Sequence, residues 1–455
     1  MNFDFERDHQ RCLDKLIWAT RQLNINTTER DLSKIAELIV QAMTGRWRSF
    51  HTPDHIFEVG GSDNPIEVLA ALFHDLVYVQ VDQSVHFNLT FYITPFVREF
   101  RENLYIRDRE DLGNDSMFDM VMEVFGFTPS QQLSPFGGQN EFLSALVAVK
   151  VLEPFIPPAL ILQIIACIEA TIPFRPHKDG VSPAQRLYER LVTVNESFQL
   201  GLSSEELVEA VRQAVRMANR DVGSFANPNP KIFLDGTWDL LPETNHNLRF
   251  TNSYTVNQYR VALQKMEGFM NFLKPDLVFQ DYAGEPNEET YQSLLTRAGK
   301  NLETARLYLG SKLFTIALLE ALSQRFGRNI PLSTIMGELN PEGLNIGKLE
   351  DFLPDITNNY PPKNSLEEDV FELLEKGRYS SSSYDLKNSP LTTLMVKIMG
   401  FERIQQLHDH AKEFFEGKLD GESFLAVCDP MVVEIITNSL IKLFDNRKAA
   451  LMRAS

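Results

Sequence analysis

Polar and apolar positions repeat at helical intervals over most of the chain. Leu13, Ile17, Thr20 and Leu23 fall three or four residues apart, as do Leu32, Ile35, Ile39 and Met43. Residues 5–45 therefore read as two core helices, the second stopped by Gly45. Ile66 to Val77 is a largely apolar run and reads as a buried helix, with Asn64 as its cap, Pro65 at its first position and Glu67 three residues after the cap. Pro158 to Pro173 is also apolar nearly all round. Ser203 to Phe225 opens on a capping pair, Ser203 and Glu206, and Leu207, Val211, Ala214 and Ala218 form one stripe. Further helices are predicted around Thr90–Glu102, Tyr254–Phe272, Leu302–Phe326 (stopped by Gly327), 366–376, 390–416 and 421–446.

Between these segments the period fails. Residues 103–145 carry the charged run R-D-R-E-D-L-G-N-D-S and the turn-rich run S-Q-Q-L-S-P-F-G-G-Q-N, and read as an insertion over the core. Phe225–Phe250, with N-P-N-P and L-P-E-T-N, reads as loop, and residues 358–365 and 377–384 read as breaks. The expected fold is all-α. A boundary at Gly284–Asn287 separates a domain of residues 1–285 from a helical C-terminal region of residues 286–455.

Composition narrows the function classes. Hydrophobic residues at 43% and charged residues at 23% are those of a globular chain. There is no apolar run of about eighteen residues to span a membrane. A net charge of -18 argues against nucleic-acid and acidic-membrane partners. The polar, acidic start argues against a secretory signal, and Cys12, Cys167 and Cys428 stand at no metal or redox spacing. A reducing, cytoplasmic setting is expected.

The candidate chemistry is concentrated in Arg46–Asn88, which holds His51, His55, His74 and His86 of the nine histidines. His74–Asp75 ends an apolar helix, where a hydrated pair needs a partner. A divalent metal suits neutral imidazole and carboxylate together. His51 and His55 lie four apart, but Pro53 favours a helix starting after Thr52, which leaves His51 just outside it. One further step along the Leu207–Ala218 stripe reaches Asp221, so a carboxylate faces the core. Its two readings are metal ligand and partner of Arg220 or another arginine. Glu169 is a polar exception in its apolar helix. Either it supports a ligand imidazole or positions a water, or it forms a salt bridge with an arginine.

The ordered set Arg48, Phe50, His51, His55, then His74, Asp75, Tyr78, then Asp221 in A-N-R-D-V resembles the HD superfamily of metal-dependent phosphohydrolases, in particular its small predicted members. The cyclic nucleotide phosphodiesterases share the H-x-x-x-H half. The likeness covers about residues 15–280 apart from the insertion. It implies an HD-type helical bundle with His55, His74, Asp75 and Asp221 on one divalent ion (Mn, Mg, Zn, Fe or Ni). It also implies that His51 protonates a leaving oxygen and that Asp75 orients the attacking water. The helix over 158–173 would pass close to the ion, with Glu169 near it. Tyr78 stands where phosphodiesterases place a His for a second metal, which favours one ion. Arg48, or Arg46, would hold a phosphate oxygen; the alternative for each is a surface arginine beside Trp47. The acid often found after His-Asp has no match in register, since only Asp82 and His86 are nearby, and His86 reads as a surface residue. The expected reaction is hydrolysis of a phosphate mono- or diester, the substrate a nucleotide or related small molecule. The alternatives are a non-catalytic HD module used for regulation or assembly, and a di-iron HD oxygenase. A second His-Asp, within His408, Asp409 and His410, reads as a surface feature without a partner set. The chain has no GxGxxG, P-loop or G-x-S-x-G, and oligomeric state is not legible.

Overall fold

The computed structural model of the chain describes residues 4–249, 254–325, 327, 331–332, 349–382 and 384–443. The protein is all-α, and the sheet found among the described residues is a two-stranded hairpin. No helix among them is long and apolar enough to cross a membrane. The chain divides into two units, Met1–Phe225 with Pro275–Thr296 and Ala226–Lys274 with Arg297–Ser455. The expected boundary at Gly284–Asn287 thus lies inside a segment that belongs to the first unit, and residues 226–274 group with the C-terminal helices.

The first unit begins with α1 (Phe5–Gln22), α2 (Glu29–Met43), α3 (Pro53–Gly60), α4 (Pro65–His74), α5 (Val79–Asp82) and α6 (Phe87–Ile93). The hairpin β1 (Val97–Phe100) and β2 (Asn103–Ile106) follows, then α7 (Ser116–Phe125), α8 (Gln139–Leu152), α9 (Pro158–Ala170), α10 (Pro183–Ser197) and α11 (Ser204–Asp221). Caps act where the sequence places them. Asn64 Oδ1 accepts from the Ile66 and Glu67 amides. Ser203 and Glu206 close a reciprocal box at the start of α11. In α4 every residue from Ile66 to His74 is buried, and α9 packs against α4, α8 and α11. Leu69, Leu72 and Phe73 have no exposed surface, and burial of each such side chain stabilises by roughly 1.5–3 kcal/mol.

Two expectations are corrected in this unit. Thr90–Glu102 is not one helix: α6 stops at Ile93 and the chain turns into the hairpin. Arg101 (φ +49) and Glu102 (φ +64) are both left-handed, the geometry of a two-residue turn that matches strand twist. Nor is the whole of 103–145 an excursion over the core. Phe118, Val121, Phe142 and Leu146 are at most 1% exposed and belong to the main core, so α7 and α8 are part of it.

In the second unit Pro230–Thr244 is a helix where loop was expected. The N-P-N-P run supplies its start: Asn229 accepts from the Lys231 amide and Pro230 takes the first position. The helix Glu288–Gln324 starts earlier than its periodicity indicated. The expected helix over 390–416 is Pro390–Phe415, broken at Gly400 (φ +73). The expected helix over 421–446 is two, Gly421–Val427 and Pro430–Leu443, divided before a proline. Phe250, Phe326, Ser383 and residues 444–446 of these expectations lie outside the described residues. Buried Asp385 accepts from Lys312 Nζ at 2.7 Å and Trp238 Nε1 at 2.8 Å, so the ion pair is also hydrogen-bonded. All three cysteines are free and buried.

Gly138 opens α8 with φ +93, and a Cβ there would lie 2.4 Å from Ile172 Cδ1. Gly138→Ala is expected to destabilise the protein by about 2–4 kcal/mol, combining left-handed strain with overpacking. The check is a urea titration in which the midpoint falls at unchanged slope.

Candidate metal centre

Three helix ends converge in the first unit. α3 starts at Pro53, so His51 stands outside it and His55 lies in its first turn. α4 ends on His74, and Asp75 takes its C-cap position. Asp221 is the last residue of α11. His55, His74, Asp75 and Asp221 each offer one donor atom, and the four atoms lie within 4.8 Å of one another. His55 Nε2 is 3.0 Å from Asp221 Oδ1 and 3.3 Å from Asp75 Oδ2. His74 Nε2 is 3.1 Å from Asp75 Oδ2 and 3.3 Å from Asp221 Oδ1.

The donor set fits a divalent cation. Bonds of roughly 2.0–2.2 Å at right angles put neighbouring donors roughly 3 Å apart, close to the spacing observed. His74 Nδ1 lies 2.8 Å from the Ala71 carbonyl. A carbonyl only accepts, so Nδ1 carries the proton and the neutral ring turns its lone pair at Nε2 toward the site. Asp75 Oδ2 is buried and makes no hydrogen bond of proper geometry, the condition of a ligand atom that has lost water.

Without a cation, protons hold the cluster together. Burial favours neutral imidazole at His55, but the hydrogen bond with Asp221 and the charges of Asp221 and Asp75 outweigh it and raise the pKa to about 9. His74 is likewise raised well above its usual value against the effect of burial, chiefly by the Asp75 charge. Burial opposes ionisation of Asp75 and Asp221, yet the neighbouring imidazoles hold both below the usual carboxylate range.

The ligand helices are braced by charge. Glu67 of α4, 2% exposed, binds Arg216 at 2.9 Å and Arg220 at 2.5 Å, both on α11. Arg220 also donates to the Val59 carbonyl of α3 at 2.7 Å. Arg220 therefore ties Asp221's helix to both other ligand helices, and Asp221 turns to the two imidazoles.

Several residues singled out in the sequence have other roles. The Arg48 side chain has no exposure and bonds Asp82 (2.7 Å), the Asp75 carbonyl (2.7 Å) and the Leu76 carbonyl (3.2 Å). It braces the chain after His-Asp, which leaves its fork unavailable to a phosphate. Arg46 lies over the Trp47 ring at 4.2 Å. Glu169 is 1% exposed and accepts from Arg175 at 2.6 Å and Arg190 at 2.5 Å, so the salt-bridge reading holds. His51 packs edge-on against Tyr78, with centroids 4.6 Å apart. His86 caps α6 through the Asn88 amide. His408 is buried rather than superficial, 3.3 Å from Glu267, while Asp409 is exposed.

One residue escaped the sequence reading. Glu141, in the first turn of α8, has a buried Oε2 with no hydrogen-bond partner. Burial raises its pKa to about 7, with Asp75 and Asp221 adding to the effect, while a hydrogen bond from its own backbone amide and the charge of Arg175 oppose it. A glutamate within an apolar helix was the available signal, hidden because its segment read as an insertion. No family model, curated protein or solved structure matches the chain.

Protons and cation compete for the same nitrogens, which sets the sign of the pH dependence. Raised histidine pKa values stabilise the metal-free protein fully below about 6.5, and that contribution is lost as pH rises through about 9. Affinity for Mn²⁺ is expected to tighten over this window, by roughly tenfold per pH unit for each proton released. Chelator competition and proton release in weak buffer check this; pH-independent affinity would contradict it.

Proposed function

We propose that the protein is an HD-type, metal-dependent phosphohydrolase, acting in the cytoplasm on a phosphate mono- or diester of a nucleotide or related small molecule. The observation that carries the reading is the convergence of His55, His74, Asp75 and Asp221 from three helices, in the order the HD motif requires. A divalent ion bound there lowers the pKa of a water and offsets phosphate charge. His51 stands outside the ligand set, with its ring 5.6 Å from that of His55, and donates a proton to the leaving oxygen. Arg48 is committed to Asp82 and main chain, so attraction of the phosphate falls to other cations. Arg175 and Arg190 share the single charge of Glu169, which leaves one positive charge in excess on that cluster.

Purified protein is expected to carry one divalent ion per chain and to hydrolyse members of a nucleotide and phosphoester panel. Asp75→Ala and Asp221→Asn should each abolish ion binding and lower turnover by about 1000-fold or more, with unchanged circular dichroism. Turnover that persists in Asp75→Ala sinks the reading. Bound ion with no turnover across the panel favours the non-catalytic module instead.

A further inference from the structure

Hydrolysis at this site needs a group to accept the proton of the attacking water, and most nearby carboxylates are already engaged. Asp75 and Asp221 supply ligand atoms. Asp82 is bound to Arg48, Glu67 to Arg216 and Arg220, and Glu169 to Arg175 and Arg190. Asp82 is the single carboxylate between the His-Asp pair and Asn88. Like Asp75 Oδ2, Glu141 Oε2 is closed off from solvent and receives no hydrogen bond, but Glu141 is not one of the four clustered donors.

Its position is determined by contacts to the stretch just after Asp75. Asn140 Oδ1 accepts from the Val79 amide at 3.2 Å, and Ser144 Oγ accepts from the Val77 amide at 3.0 Å. These two bonds pin the first turns of α8 to residues 77–79. Gly138, against Ile172, brings the start of α8 to the end of α9. Glu141 stands between the anchored Asn140 and Ser144, beside the stretch that follows Asp75. A buried carboxylate oxygen without a donor calls for one, and a water at the centre supplies it.

We propose that Glu141 is the catalytic base, holding the attacking water through Oε2 and taking its proton. The inference rests on the hydrolase reading above. As the water oxygen bonds to phosphorus, its proton passes to Glu141 and the phosphorus–oxygen bond to the leaving group breaks. The leaving oxygen takes a proton from His51. Glu141 then returns its proton through solvent to His51, so the net change is one water added across the broken bond.

The test uses Glu141→Gln in the full chain. It should keep one divalent ion and an unchanged or higher melting temperature, because a neutral amide replaces a buried carboxylate. Turnover should fall by about 100–1000-fold with KM within a few-fold, and the acidic limb of the pH–rate profile should disappear. Independently of activity, a crystal structure of the Mn²⁺-loaded wild type should show an ordered water beside the ion and within about 3.2 Å of Glu141 Oε2. Wild-type turnover in Glu141→Gln, or an Oε2 bonded to a protein donor or to the ion itself in that crystal, overturns the proposal. A wild type that takes up no divalent ion overturns the hydrolase reading as well, whereas an ion bound with no water at Glu141 overturns this inference alone.

Discussion

Two carboxylates and two imidazoles, held 3.0–3.3 Å apart with little access to water, cannot coexist without positive charge between them. Asp75 caps the C-terminus of α4, and Asp221 is the last residue of α11. Both sit at the negative ends of helix dipoles, where anions are disfavoured and cations favoured. Backbone and side chains thus ask for the same thing. Either the imidazoles take protons or a divalent ion takes their place, and the surrounding helices keep the donors together in both cases.

That arrangement is maintained by polar groups whose bonding capacity is used up. Arg48 spends its donors on Asp82 and on the carbonyls of Asp75 and Leu76, which shapes the turn that presents Asp75. Glu67 joins α4 to α11 through two arginines. Glu169 gathers Arg175 and Arg190. Each is buried and charged, and by residue type alone each is a candidate for chemistry. What separates a brace from a reacting group is satisfaction. Arg48, Glu67 and Glu169 have every side-chain polar atom bonded within the protein, whereas Asp75 Oδ2 and Glu141 Oε2 are buried with bonding capacity left over.

The same distinction applies to the second His-Asp. His408 is buried and paired with Glu267, and its Nδ1 lies 3.3 Å from the Gly310 carbonyl. Asp409, one residue on, points to solvent. A dipeptide gathers no ligand set unless distant helices bring donors to the same point.

The sequence by itself determined the helical class, the caps of α4 and α11 and the start of α3 at Pro53, and its likeness to the HD motif pointed to the four residues that meet at the centre. Apart from that likeness, each of those signals is local: a period, a cap, or a carboxylate on the wrong face of a stripe. Tertiary structure decided what local signals cannot carry. The left-handed pair Arg101–Glu102 turned an expected helix into a hairpin, and burial of Phe118 and Phe142 drew an apparent insertion into the core. Arg48 and Glu169 became braces because their partners lie 34 and 21 residues away, at Asp82 and Arg190. Glu141 stayed hidden because an unsatisfied oxygen is a property of everything packed around it.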